Sequence, residues 1–458
     1  MDAVAEQKTL WSHGVESCTR KLFNLQHIAE HLNQVPSRHL ALAARTSVQE
    51  AVKNILMISC SPYTMTSRRS LLFMVSLGVS LSLIVNCVQA EPIKYTVNTF
   101  KNCLPGFVPE LNETTFCCPP QKNLNGPIVD FVPRHDPHKP LRIKKALQCL
   151  SGEELRTYTW KLQKGYELMR ALPDDDPRSF YQQGKIHCAY GTGCFAQDST
   201  NITLDVHYSF FFYPFHRYFL YFHEKILQKL LGDPSFTLHF WNYDNSITTS
   251  PPAGSRDGCF KAGHFFPAIY NDPTKATYSA NRSIRAYTPN LVTDLGIPVS
   301  TRNTTSLPFD EAVARNRAVM HNSLITNATT SRAFLGRNYS VGDSQLLNPG
   351  LGDGSFEAAH ASVHWWVGGI MGPVTTSASD PIFYAHHSNV DRLWTLWPKL
   401  GPNRHDPTSN LDWMDAEFLF WDENKVLRRV KVKDSSTTEA FGFRYQEVND
   451  ASWIQFPN

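Results

Sequence analysis

The stretch Asp380-Pro-Ile-Phe-Tyr-Ala-His-His-Ser-Asn-Val-Asp-Arg-Leu-Trp394 decides how the rest of this chain is read. Phe383, His387, Val390, Trp394 and Trp397 recur at i, i+4, i+7, i+11 and i+14, the spacing of one buried helical face, so a helix is expected from about Pro381 to Trp397. Adjacent helical residues project about 100° apart, so at most one of His386 and His387 should serve a shared site. The stripe chooses His387 and leaves His386 at its margin. One turn further on, Asp391 either accepts a hydrogen bond that fixes an imidazole or pairs with Arg392 or another base.

A histidine on a buried face becomes a metal ligand when others converge on it. His360 and His364 stand four residues apart in a second expected helix, Phe356 to Val367, so both rings leave one face and can chelate one ion. Ala358, Ala359, Val363 and Trp366 leave little polar surface around them, which disfavours two ordinary surface histidines. Earlier, His207 and His216 flank the aromatic run Tyr208 to Phe215. On a straight helix they would face opposite ways, but Pro214 either begins a helix reaching Leu231 or kinks a longer one, letting His207 approach from the preceding turn. His187, beside Cys188, can complete a second three-histidine set. His135, His138, His223, His239 and His405 lack such spacing and are read as surface or supporting residues.

Further helices are expected from Ser151 to Leu172, opening on the capping-box spacing Ser151-Gly-Glu-Glu154, and from Asp310 to Ser323 within a long irregular excursion between Tyr243 and Leu351. Phe418 to Trp421 and Val426 to Val432 alternate like short strands. The expected fold is mainly α, four helices around a central site, with long irregular loops and minor short β-strands. Residues 91–150 are rich in Pro, Asn and Gly and read as a disulfide-stapled arm that wraps a catalytic unit spanning 151–458.

Leu71 to Val85 is apolar, follows Arg68-Arg69 and precedes Val88-Gln-Ala90, the pattern of a cleaved export signal over residues 65–90; Met65 lies just before it, which leaves residues 1–64 unassigned and open to being a gene-model artefact. The run is shorter than the roughly 20 apolar residues that span a bilayer, so no stable membrane insertion is expected after its removal. Ten cysteines and the sequons at Asn112, Asn201, Asn281, Asn303, Asn327 and Asn338 suit the secretory pathway, extracellular or vacuolar. The alternative address is the thylakoid lumen, because Ser67-Arg68-Arg69 before an apolar run is also a twin-arginine pattern. Of 458 residues 42% are hydrophobic, which supplies a large core, and the net charge of +3 without basic blocks excludes nucleic acid as an expected partner.

His207 to Glu224 resembles the copper A signature of tyrosinases and Asp380 to Asp391 their copper B signature. Cys117-Cys-Pro-Pro120, Phe180-Tyr-Gln-Gln-Gly-Lys-Ile-His-Cys-Ala-Tyr190, Trp241-Asn-Tyr-Asp244 and Asp412-Trp-Met414 are similar to plant-type polyphenol oxidases, the type 3 copper family of catechol oxidases. The resemblance implies two coppers, one on His187, His207 and His216, the other on His360, His364 and His387. It also implies disulfides Cys103 with Cys118 and Cys117 with Cys188. The reaction it implies is oxidation of small o-diphenols to o-quinones by O2; a tyrosinase that hydroxylates monophenols, or a haemocyanin-like O2 carrier, is the alternative. Neutral imidazoles suit copper in both oxidation states.

The chain departs from the family at three places. Gly191 stands where many members carry the cysteine of a thioether to a copper A histidine; Cys194 either shifts into that role with His207 or pairs with Cys259 or Cys149. Glu357 lies three residues before His360, where a catalytic, water-orienting glutamate lies four before, and Ala361, expected with Trp365 to line the substrate pocket, replaces an asparagine. The Gly-rich Val367 to Ser379 shows no match to a gating phenylalanine, so an open access is expected. The shielding C-terminal domain of plant relatives is expected to be absent, since Phe443-Arg-Tyr445 resembles the motif that closes the catalytic domain. Replacing His387 with Ala should remove one copper per chain, whereas His386→Ala keeps most of it; equal loss from both, by metal analysis, would show that the helical face chose wrongly.

Overall fold

Polar punctuation marks where the helices begin and end. In the computed structural model α1 spans Gly152–Arg170, with Tyr158, Leu162, Tyr166 and Met169 on its buried face, Glu153 and Glu154 in the first turn and Arg170 in the last. That charge order complements the helix dipole. Ser151 has the extended N-cap conformation but makes no side-chain cap, so the capping-box spacing located the start without forming its bond. α2 (Phe180–Gly191) is capped by Ser179, whose side chain accepts the Gln182 N–H. α3 (Phe212–Leu231) has Pro214 in its first turn, where a missing N–H is harmless, and stops at Gly232 with φ 64°, a left-handed cap that glycine adopts without strain. α4 (Phe309–His321), α5 (Glu357–Val367) and α6 (Ile382–Leu396) follow.

The structure describes residues 92–96, 99, 105–108, 113–115, 126–192, 194–197, 203–245, 262–297, 307–343, 354–448 and 452–456, all within the unit Glu91–Asn458. The leader, the export signal, Cys103, Cys117, Cys118, Cys259 and the sequons at Asn112, Asn201 and Asn303 lie outside them. Among the described residues no helix is long and apolar enough to cross a membrane.

The site is enclosed by α2, α3, α5 and α6. α6 packs along α3, while α1 packs against α2 and α3 and contributes no ligand. The expected four-helix bundle is present, and its fourth ligand-bearing helix, α2, is one that periodicity had not marked. Ten of its twelve residues are buried, Gln182 and Gln183 included, so it has no polar face and no amphipathic stripe to read.

Short strands sew the ends of the unit together. β1 (Val129–Asp130) pairs in parallel with β4 (Leu427–Lys431), which pairs antiparallel with β3 (Glu417–Trp421). β2 (Arg142–Lys144) pairs in parallel with β5 (Phe443–Tyr445). Lys144 enters the core, and its Nζ meets Glu224 of α3 at 2.8 Å with both side chains 1% exposed. Arg142 at 3.0 Å, the Thr237 hydroxyl at 3.0 Å and the Leu238 N–H at 2.9 Å also donate to Glu224. Burial alone would raise the Glu224 pKa, but Lys144 and Arg142 hold it below the usual carboxylate range.

Removing one partner from a buried pair strands the other charge, so Glu224→Gln should lower stability in urea by about 3–5 kcal/mol. Adding Lys144→Met should recover part of the loss, since a Met can pack on the Phe443 ring that Lys144 now covers at 4.5 Å; no recovery would count against the pair as the cause.

Candidate metal centre

Two groups of buried imidazoles meet in the bundle: His187, His207 and His216, and His360, His364 with His386 and His387. Within each group, ligand-capable atoms lie within 4.8 Å of one another. His187 comes from α2, His216 from α3, His360 and His364 from α5 and His387 from α6. His207 lies in the turn before α3, as Pro214 led one to expect. The groups adjoin, since the His216 and His387 rings stack at 4.1 Å between centroids. His135, His138, His223, His239 and His405 belong to neither group.

The fixed protons show what the groups can hold. Nδ1 of His187 donates to Val374 O at 3.1 Å, of His216 to Phe212 O at 2.7 Å, of His360 to Glu357 O at 3.2 Å and of His364 to Met371 O at 2.8 Å. A carbonyl oxygen only accepts, so each of these Nδ1 atoms carries its proton. Burial is the largest cause that keeps these rings neutral, with His364 pushed down to about 3 and His187, His216 and His360 well below the ordinary imidazole value. Their Nε2 atoms are then bare lone pairs. Those of His360 and His364 face each other at 3.0 Å, and His387 Nε2 stands 3.3 Å from both. His187 Nε2 and His216 Nε2 are buried without a hydrogen-bond partner. Lone pairs so placed repel unless a cation lies among them, and imidazole donors of this kind suit copper.

His386 is not marginal: it is as fully buried as His387, stacked on the His360 ring at 5.1 Å and tilted against Tyr243 at 5.3 Å. Burial could not have separated the neighbours; the separation is that Nε2 of His387, and not of His386, makes the two 3.3 Å approaches. Asp391 pairs with Arg217 Nε at 2.6 Å and accepts the Tyr445 hydroxyl at 2.5 Å, while Arg392 pairs with Asp244 at 3.2 Å. Of the sequence alternatives for Asp391, the salt bridge with another base is the one formed.

The Gly-rich segment after α5 reaches both groups, because Met371 O orients His364 and Val374 O orients His187. Gly372 lies flat against Trp365, where a Cβ would sit 3.1 Å from two ring carbons. Ala361 and Trp365, one turn apart on α5, are both partly exposed beside the ligand face. The Glu357 carboxylate is 2% exposed and its Oε2 accepts the Tyr208 N–H at 2.6 Å. Cys188 is disulfide-bonded, as is Cys149, which the sequence had offered as a partner for Cys194. Cys194 is buried with Sγ 3.1 Å from Thr192 Oγ1.

Residues 177–400 match the common central domain of tyrosinase, and residues 407–458 match the polyphenol oxidase middle domain. The chain is 40% identical over 362 residues to "Polyphenol oxidase, chloroplastic" of Malus domestica, covering 77% of this chain and 55% of that protein. It is 34% identical to "Catechol oxidase B, chloroplastic" of Solanum tuberosum, covering 78% and 57%. The crystal structure of polyphenol oxidase from Grenache grape, Vitis vinifera, superposes with a TM-score of 0.67 at 37% identity, covering 79% of this chain and 99% of that one. The chain thus spans just over half the length of the curated relatives it matches.

A Cβ at Gly191 would lie 2.7 Å from His207 Cε1 and 2.8 Å from Val374 Cγ1. Gly191→Ala should therefore tilt the His207 ring and lower the metal content of a copper-loaded protein from two ions toward one, with the circular dichroism spectrum unchanged. Full metal content in the variant would show that the ring has room to yield.

Proposed function

This chain belongs to the tyrosinase family, among the plant polyphenol oxidases, and on that premise we propose that it oxidises o-diphenols to o-quinones while O2 is reduced to water. The ligands in this reading are His187, His207 and His216 for one copper and His360, His364 and His387 for the other. The observation that carries it is the juxtaposition of two sets of bare imidazole lone pairs, joined by the His216–His387 stack. Bound there, two coppers would supply the two-electron redox capacity that the imidazoles themselves lack. Two catechols give up four electrons and four protons to one O2, forming two waters and two quinones.

The protein's own part is to hold and to exclude. Phe212 packs on His216 and His360 at 4.7 and 4.9 Å, and Phe383 on His187 and His387 at 4.8 and 4.2 Å. These rings keep water from the imidazoles and limit their rotation. Ala361 and Trp365 form the open margin of α5 where a flat phenol ring can lie, and neither supplies an acid or base. Glu357, aimed at the Tyr208 N–H, supports the turn that carries His207 rather than a substrate proton. The relatives named chloroplastic favour the thylakoid-lumen reading of the leader over the secretory one.

A monophenol must lose a proton of reference pKa about 10 before its ring is hydroxylated, so a margin without a base should favour catechols. O2 uptake by the copper-loaded protein should be fast with dopamine and slow with tyramine once a trace of diphenol has removed the lag. Ala361→Asn should raise the tyramine rate selectively. No uptake with dopamine would overturn the proposed activity, and comparable rates on both substrates would overturn the preference.

A further inference from the structure

Five of the six proposed ligands have an acceptor for Nδ1, and one acceptor differs in kind. His187, His216, His360 and His364 give that proton to main-chain carbonyls, whereas His207 gives it to a carboxylate, Asp205 Oδ1, at 2.9 Å. The same oxygen accepts the main-chain N–H of His207 at 2.8 Å, so one atom governs both the path of the backbone and the plane of the ring.

His207 is also the ligand that no helix carries. It sits between the short strand Thr203–Leu204 and α3, and the next residue, Tyr208, has φ 51°, a left-handed conformation that a non-glycine residue rarely adopts. A helical ligand takes its direction from a ladder of main-chain hydrogen bonds. A ligand in a strained turn needs another source of rigidity, and Gly191 on α2, where a Cβ would lie 2.7 Å from Cε1 of this ring, brings no side chain to brace it.

We propose that Asp205 is a positioning residue for the first metal site: its carboxylate takes the Nδ1 proton of His207, leaving Nε2 as the donor to the centre. This rests on the reading of His207 as a copper ligand. With Nδ1 engaged, the ring lies edge-on to His187 and His216 at centroid distances of 5.3 and 5.6 Å, closing the triad. The carboxylate does more than a carbonyl would. Its negative charge raises the electron density at Nε2, so His207 is the strongest donor of its triad and favours the more highly charged state of the ion it binds. The bland alternative is a partly exposed ion pair, with side chains 8% and 24% exposed, whose loss would leave the metal undisturbed.

The experiment compares copper-loaded wild type, Asp205→Ala and Asp205→Asn for copper remaining per chain during exposure to a chelator. Nitrogen NMR of the same copper-free proteins, labelled at their histidines, reads the tautomer of His207. In Asp205→Ala one of the two coppers should leave about 10- to 100-fold faster while the other leaves at the wild-type rate. Asp205→Asn should fall between, because an amide oxygen still accepts the Nδ1 proton but brings no charge. Both coppers leaving Asp205→Ala at the wild-type rate, or both leaving faster to the same degree, would overturn the proposal. Failure of wild type to take up copper would overturn the ligand reading instead. In that event the tautomer still decides the Asp205 contact: His207 protonated at Nδ1 in wild type and not in Asp205→Ala supports it, and the same tautomer in both overturns it.

Discussion

A neutral imidazole has one proton and one lone pair, and the whole centre follows from where the proton goes. Once Nδ1 is tied to an acceptor that cannot move, Nε2 is left bare and its direction is set. Phe212 O and Glu357 O are helical carbonyls within a turn of their histidines, so His216 and His360 are oriented as soon as α3 and α5 form. Met371 O and Val374 O come from the segment between α5 and α6, so His364 and His187 are oriented only after that segment has packed. A shift of a few residues there disturbs one ring in each triad at once, which gives the short glycine-rich connection its structural weight.

Holding bare lone pairs together away from water is unfavourable, and the surrounding structure has to oppose it. Around the triads lies an aromatic packing of Phe212, Phe215, Phe219 and Phe383, and outside that a shell of paired charges. Arg217 on α3 meets Asp391 on α6 and donates to Ser435 O, while Tyr445 closes the other carboxylate oxygen. Arg282 holds Asp380, at the start of α6, through two bonds of 2.9 and 2.6 Å with both side chains fully buried. Glu224 and Lys144 fasten the N-terminal arm to α3. Each pair joins elements distant in sequence, so α3 and α6, two of the four histidine-bearing helices, are braced by segments that precede and follow the bundle.

Gly191, Asp205 and Glu357 meet at His207 and the turn that carries it. Gly191 brings no side chain toward its Cε1 edge, Asp205 takes its Nδ1 proton, and Glu357 accepts the next residue's N–H.

Much of this was legible along the chain, and the limits have a common cause. Helical periodicity found α3, α5 and α6 to within a few residues and put His360 and His364 on one face, because their apolar residues recur at helical spacing along the chain. α2 shows no such spacing, and the sequence marked it only as a family motif, not as a helix. Pro214 told correctly that His207 leaves the helix. The full burial of His386, the Arg217 partner of Asp391, and the acceptors at Met371, Val374 and Asp205 were decided by tertiary structure. Spacing determines which side chains share a face of one element. Which proton acceptor waits opposite that face depends on how separate elements pack, and the local sequence of either element does not contain it.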